Sequence, residues 1–142
     1  KPVAEHFDWV HSIDRLKIAE RLSAQRPAYL APLQVCVQIN VSGEASKSGC
    51  APDEALALCR AVAALPGLQL RGLMAIPEPT DDLQAQRIPF RKLRELREQI
   101  CAAGLPLDTL SMGMSHDLEA AVAEGATIVR IGTAIFGERN YA

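Results

Sequence analysis

Two short segments near the end of the sequence combine glycine with hydroxyl-bearing residues, a composition suited to anion binding. The first is 111–115 (SMGMS) and the second is 132–137 (GTAIFG). Small residues let backbone N–H groups approach a phosphate, and serine or threonine hydroxyls add further donors. Serine and glycine also form ordinary turns and helix caps, so composition alone leaves a phosphate site and a structural turn equally open.

Two polar side chains interrupt apolar segments that could lie near these loops. Arg130 lies in the segment IVRIG, where strand alternation places it on one face with Ile128 and Gly132. A charge inside an apolar strand is costly unless it is paired, so Arg130 contacts either a core carboxylate or a ligand. Asn40 shares a face with Gln38 at the end of another apolar segment. It either lines the same site or makes a structural hydrogen bond, and we favour the second reading for it.

Other polar groups carry weaker signals. The histidines show no metal-ligand spacing, and we expect solvated or capping roles for all three: His6, His11 and His116. The charged segment 91–98 predicts a solvent-exposed helix face with intrahelical ion pairs. Cys36 and Cys59 fall in apolar patterns, which indicates buried, inert thiols.

Short apolar segments alternate with amphipathic segments along the whole chain. The clearest predicted strand is 33–41 (LQVCVQINV), and others are predicted at 7–12, 68–76, 107–112 and from residue 126. A helix is predicted after each of the first four strands. Strict β-then-α order implies parallel strands with right-handed crossovers, either in an open doubly wound sheet or in a TIM-type barrel.

Capping residues predict where two of the helices begin. Asp14 is the expected cap of the first helix, and Ser111 or Ser115 is the expected cap of the last. The inward residues of the first helix are predicted to be Leu16, Ala19 and Leu22, and those of the last Leu118, Ala121 and Val122. A third helix, with Leu93, Leu96 and Ile100 at helical spacing, contains Pro89 near its start or at a kink.

Five βα units are three short of a closed barrel, so either the sheet is open or the sequence is a fragment of a barrel. We favour the fragment, because an open edge on such an apolar parallel sheet would be a pairing hazard. No G-x-G-x-x-G fingerprint follows the first strand, which disfavours a dinucleotide-binding sheet. A complete (β/α)8 barrel takes ~250 residues. We therefore expect residues 1–142 to form a single partial domain, the C-terminal part (about five βα units) of such a barrel.

Composition excludes several classes of function. The net charge of -2 and the absence of a basic cluster argue against nucleic acid binding. No apolar run reaches the roughly 18 residues of a membrane span, and the first residues show no signal-peptide pattern. We therefore expect a cytoplasmic protein without nucleic acid or membrane partners, and without a metal.

Taken together, these segments resemble the pyridoxal phosphate (PLP) homeostasis proteins, the YggS/PROSC family, whose barrel domain is shared with alanine racemase. The resemblance covers essentially the whole chain. The matching stretches are LSMGMS (110–115), EAA (119–121), VRIGTAIFG (129–137), HSID (11–14), QINVS (38–42), EASKSG (44–49) and RGLM (71–74).

The resemblance implies that PLP binds at the mouth of the barrel, as a Schiff base with a lysine on an early strand. Arg130 would face the pyridine nitrogen, and a permanently protonated guanidinium would leave that nitrogen unprotonated and the ring a poorer electron sink. The complete set of implied cofactor-binding residues is Ser115, Gly132 and Thr133 at the phosphate, together with Arg130, Asn40 and Met74. The implied role is to carry and buffer PLP, which influences amino-acid and keto-acid balance, with no established catalytic reaction.

Two features depart from the family pattern. None of the lysines matches the early-strand lysine motif, so we expect this chain alone to bind PLP weakly: Lys1, Lys17, Lys47 and Lys92. His116 stands where the family usually has an acidic residue. The alternative function is a PLP-dependent amino-acid racemase, which we disfavour because alanine racemases add a second β domain with a catalytic tyrosine. We expect the intact protein to be a monomer.

Overall fold

A computed structural model describes residues 9–41, 49–77, 82–114 and 117–130, with only the backbone described at Ser12 and Arg130. The strands are β1 (Trp9–Ile13), β2 (Leu33–Gln38), β3 (Leu68–Ala75), β4 (Thr109–Met114) and β5 (Ile128–Arg130). The helices are α1 (Leu16–Gln25), α2 (Ala55–Ala63), α3 (Leu83–Ala102) and α4 (Leu118–Ala123), and a 3-10 turn, Pro52–Glu54, precedes α2.

The five strands form one sheet in the order β1-β2-β3-β4-β5, and every neighbouring pair is parallel. A helix lies between each strand and the next. Doubly wound sheets reverse their strand order at a switch point, whereas barrel strands follow one another in sequence. The observed order is therefore that of a (β/α) barrel, and the predicted α/β fold is confirmed.

The sheet has two chemically different faces. The outer face packs against the helices, and its core includes Val35, Val37, Leu73, Leu110 and Met112 from the strands, and Ala19, Cys59, Val62, Phe90 and Leu93 from the helices. The alternate strand residues lie outside this core cluster yet are buried: Cys36, Gln38, Met74, Thr109 and Ser111. We call the face that they share the inner face.

Gly72 lets β3 and β4 approach closely on the inner face. It is in register with Cys36 of β2 and Thr109 of β4, just after a bulge at Arg71. A Cβ atom at Gly72 would lie 1.8 Å from the carbonyl oxygen of Thr109. No side chain fits there, so the pairing of β3 with β4 requires glycine at this position.

The predicted helix caps were wrong. The N-cap of α1 is Arg15, which makes no side-chain capping bond, so Asp14 does not cap the helix. Ser111 lies within β4, and α4 instead begins after Asp117, whose Oδ1 accepts a hydrogen bond from Met114 N at 2.6 Å. The strand hydrogen bonds extend β4 to Met114, beyond the end expected from the sequence. Ser115 lies outside the described residues.

The inward faces of the same two helices were partly mispredicted. Ala19 and Leu22 of α1 are buried, but Leu16 is exposed. In α4, Ala121 is buried, whereas Val122 is 59% exposed. The third predicted helix is observed as α3, which continues through Pro89 and buries Leu93 and Ile100.

The charged face of α3 is only partly solvated. Arg94 and Glu98 form the expected pair four residues apart, at 3.2 Å. Arg87, Arg91 and Arg94 also converge on Glu124, at the end of α4, at 2.8, 3.4 and 3.2 Å. The side chain of Glu124 is only 2% exposed. An unpaired carboxylate would be costly there, so the three guanidinium groups hold α4 against α3.

These contacts set the ionisation of Glu124. Burial alone would raise its pKa, but the hydrogen bonds from Arg87, Arg94 and Arg91 outweigh burial and hold the pKa below its ordinary value. A lowered folded-state pKa stabilises the fold above the ordinary glutamate pKa, and this contribution is lost as the pH falls through the folded-state value.

We expect Glu124→Gln to reduce the free energy of unfolding by about 2 kcal/mol at pH 7, because three arginines lose their buried partner. Urea denaturation measures this loss. Glu119→Gln, at an exposed position of the same helix, is the control and should change stability by less than about 0.5 kcal/mol. The difference between Glu124→Gln and the native protein should shrink below about pH 4.5. A difference independent of pH would contradict the ion-pair explanation.

Candidate functional site

A row of inner-face residues crosses the sheet near the carboxyl ends of the strands. Gln38 of β2 is in register with Met74 of β3, which is in register with Ser111 of β4 and, through it, with Ile128 of β5. Registered residues of parallel strands share a face. Gln38, Met74 and Ser111 are 8%, 5% and 0% exposed. The row therefore places an amide, a thioether and a hydroxyl on the inner face.

His11 of β1, the strand at one edge of the sheet, contacts Ser111 of this row. Its Nδ1 lies 2.6 Å from Ser111 Oγ, although the two residues are 100 positions apart and belong to β1 and β4. Three strand spacings in a flat sheet would separate these strands by roughly 14 Å, more than the two side chains can span. The sheet must therefore curve until β1 and β4 face each other across its concave side.

The solvated or capping role expected for His11 was wrong. The signal that could have found it is the alternation in WVHSI, which places His11 on one face with Trp9 and opposite Val10. The sequence could not show that its partner is Ser111, because that contact depends on the curvature of the sheet. His6 and His116 lie outside the described residues.

At the amino-terminal end of the inner face, the polar side chains pair with one another. Arg71 donates to both carboxylate oxygens of Asp108, at 3.0 and 2.8 Å, and to Gln34 Oε1 at 2.8 Å. Its guanidinium carbon also lies 5.0 Å from the ring centre of Trp9, and the Trp9 ring meets His11 edge-on at 5.7 Å. The hydrogen bonds from Arg71 hold the pKa of Asp108 below its ordinary value. This end is therefore tied together by paired groups.

The structure describes some of the predicted site residues. Met74 lies in the inner row, as given above. Asn40 follows the end of β2 and is half-buried, and alternation places it on the inner face beyond Gln38. The backbone of Arg130 ends β5 and is in register with Met114. Ser115, Gly132 and Thr133 lie outside the described residues, so their role stays a prediction.

The carboxyl end of the inner face brings together several hydrogen-bonding side chains and a thioether. The amides of Gln38 and Asn40 and the hydroxyl of Ser111 both donate and accept hydrogen bonds, as does the imidazole of His11. Met74 adds a polarisable apolar surface suited to an aromatic ring. Among the described residues, no cluster of three His, Cys, Asp or Glu side chains could hold a metal ion.

The sequence profile for the alanine racemase N-terminal domain matches residues 1–140. The chain belongs to this family. It is 67% identical over 141 residues to a pyridoxal phosphate homeostasis protein of Pseudomonas aeruginosa, and the match covers 99% of the chain and 60% of that relative. The protein of the same name from Vibrio cholerae is 59% identical, with 99% and 59% covered. The chain thus spans about 60% of the length of these curated relatives.

The fold is similar to that of several solved structures. PipY of Synechococcus elongatus with PLP bound is 34% identical and superposes with a TM-score of 0.84, over 95% of this chain and 63% of its own. PipY without PLP gives the same TM-score at 35% identity, with 95% and 64% covered. D-threonine aldolase from Filomicrobium marinum shares the fold at a TM-score of 0.71 and 23% identity. The match covers 92% of this chain and 37% of the aldolase chain. In the part of the chain that the structure describes, no helix is long and apolar enough to cross a membrane.

We expect the His11–Ser111 hydrogen bond to couple β1 to β4 energetically. A double-mutant cycle with His11→Ala and Ser111→Ala should give a coupling energy of about 1 kcal/mol in the free energy of unfolding, as is typical of one hydrogen bond. The control cycle combines His11→Ala with Ser23→Ala, because Ser23 lies on α1 and donates to the Pro66 carbonyl. Its coupling should be near zero. Equal coupling energies in both cycles would mean that the His11–Ser111 contact does not stabilise the curvature of the sheet.

Proposed function

We propose that this chain forms part of a PLP-binding barrel that carries and buffers PLP and does not act as an enzyme. The observation that carries the proposal is the match to PipY with PLP bound, with a TM-score of 0.84 over 95% of this chain. The naming of the relatives that are 67% and 59% identical as homeostasis proteins supports the same role.

The inner face supports PLP as the ligand. Its carboxyl end, where barrels bind their ligands, carries Gln38, Met74 and Ser111, with His11 bonded to Ser111. Ser115 directly follows β4, and Gly132 and Thr133 follow β5 after one intervening residue. We assign the PLP phosphate to these three residues, because loops after the last barrel strands are common phosphate sites.

Arg130 supports a carrier role over a strongly catalytic one. We assign it to the pyridine nitrogen, which a protonated guanidinium would keep unprotonated. Bound PLP supplies an electron sink for reactions at amino-acid carbons, and that sink is weaker when the ring nitrogen carries no proton. We place this role in the cytoplasm, because the free thiols Cys36, Cys50, Cys59 and Cys101 are typical of a reducing compartment.

The test of PLP binding uses the protein at the full length of its curated relatives. We expect PLP to produce a visible absorption band that borohydride abolishes, leaving a single covalent label found by mass spectrometry. The chain of 142 residues should give no single labelled site, because none of its lysines matches the family motif. Lack of a band and label at full length would refute the proposed function. Alanine racemisation at a rate typical of racemases would refute the non-catalytic part.

Arg130→Met tests the assigned contact with the ring. We expect it to weaken PLP binding at least about tenfold, since a hydrogen bond to a charged group contributes roughly 1.5–3 kcal/mol, and to shift the visible band. Arg60→Met is the matched control, because Arg60 is exposed on α2. Spectrophotometric titration measures both affinities, and circular dichroism checks that both variants fold. Equal affinities in the two variants would remove Arg130 from the site.

A further inference from the structure

The chain returns to the sheet just beyond the end of β2. Ile39 N donates to Met74 O at 2.8 Å, which continues the pairing with β3. Asn40 N donates to Cys50 O at 2.9 Å, and Cys50 N donates to Gln38 O at 2.8 Å. Cys50 thereby forms an isolated parallel bridge with Ile39. These two hydrogen bonds join Gln38 and Asn40 to Cys50, and we call this junction the neck.

The neck extends the sheet where β1 stops. The last registered pair of β1 and β2 is Ile13 with Val37. Successive residues of a strand direct their backbone groups to opposite sides, so Gln38 O and Asn40 N point away from β3, toward the side of β1. Cys50 therefore lies beside β2 on the β1 side, one step beyond β1. The neck fixes the backbone of Asn40 at the edge of the site described above.

Gly49 is the residue that allows the neck to close. Its φ is +121°, a conformation that favours glycine. A Cβ atom on it would lie 2.6 Å from Asn40 N and 2.8 Å from the carbonyl carbon of Ile39. Both are backbone atoms, so no flexible side chain can move aside. Any other residue at position 49 must push the backbone of Asn40 away.

We propose that Gly49 is a positioning residue of the PLP site, which acts by holding Asn40 at the mouth of the barrel. This inference rests on the proposed PLP-binding role. Asn40 is on the inner face beyond Gln38, so a shift of its backbone moves its amide relative to Met74 and Ser111. Misplacing a binding group by about 1 Å can cost as much as two orders of magnitude in function.

The chain offers a matched control for backbone strain. Gly104, after α3, has a similar φ of +109°, but a Cβ atom there would meet nothing within 4 Å. Gly104→Ala therefore carries the conformational cost of an alanine at positive φ without a steric collision. Gly49→Ala carries the same cost and also displaces Asn40.

The experiment measures PLP affinity by spectrophotometric titration of the protein at the full length of its curated relatives. We expect Gly49→Ala to weaken binding roughly tenfold and Gly104→Ala to leave it within about twofold. Asn40→Ala should weaken binding by a similar factor. In the Asn40→Ala background, Gly49→Ala should cause no further loss, because the group that it displaces is already absent.

Amide hydrogen exchange on the native protein gives a second readout that does not depend on the variants folding. PLP should slow the exchange of the Asn40 and Cys50 amides, which form the neck, and leave the Gly104 amide unchanged. If the native protein binds no PLP, the proposed function itself fails. If it binds PLP, three results would overturn the role of Gly49: equal affinities for the two glycine variants, additive losses in the double variant, or neck amides indifferent to PLP.

Discussion

The curvature of the parallel sheet is the constraint on which the other features depend. The outer face of the sheet is apolar and packs on four helices, whereas the inner face carries polar groups such as Gln38 and Ser111 that are buried nonetheless. A flat sheet would leave these groups exposed on one side. Curvature brings β1 opposite β4, so that His11 reaches Ser111 at 2.6 Å. The bulge at Arg71 and the missing side chain at Gly72 permit the close strand packing that this shape requires.

The two ends of the inner face differ in how their polar groups are paired. At the amino-terminal end, Arg71 is bound by Asp108 and Gln34 and lies over the ring of Trp9. These contacts link β1, β2 and β3 with the residue that precedes β4. At the carboxyl end, the polar groups are the amides of Gln38 and Asn40 and the hydroxyl of Ser111, which is bonded to the imidazole of His11. The neck at Asn40 and Cys50 adds order there, at the place where strand pairing would otherwise stop.

The helical layer is held by electrostatic contacts as well as by apolar packing. α4 is short and exposes Val122, so its apolar contact with the rest of the layer is limited. The convergence of Arg87, Arg91 and Arg94 on Glu124 compensates, since a buried carboxylate that receives several charge-assisted hydrogen bonds fixes both helices. Because β5 follows α4 directly, this contact also positions the strand that ends at Arg130.

The residues implied at the cofactor stay a prediction from the family resemblance. The alternation of strands and helices, the parallel α/β class and the family could be inferred from the sequence alone. Those follow from local periodicity and from short motifs, which neighbouring residues encode. The three-dimensional structure was needed to show which distant groups meet: His11 with Ser111, and Glu124 with its arginines. It also decided the helix starts, because β4 extends to Met114 and removes Ser111 from any cap. Periodicity states which face a side chain occupies, but the distance across that face depends on how far the whole sheet curves.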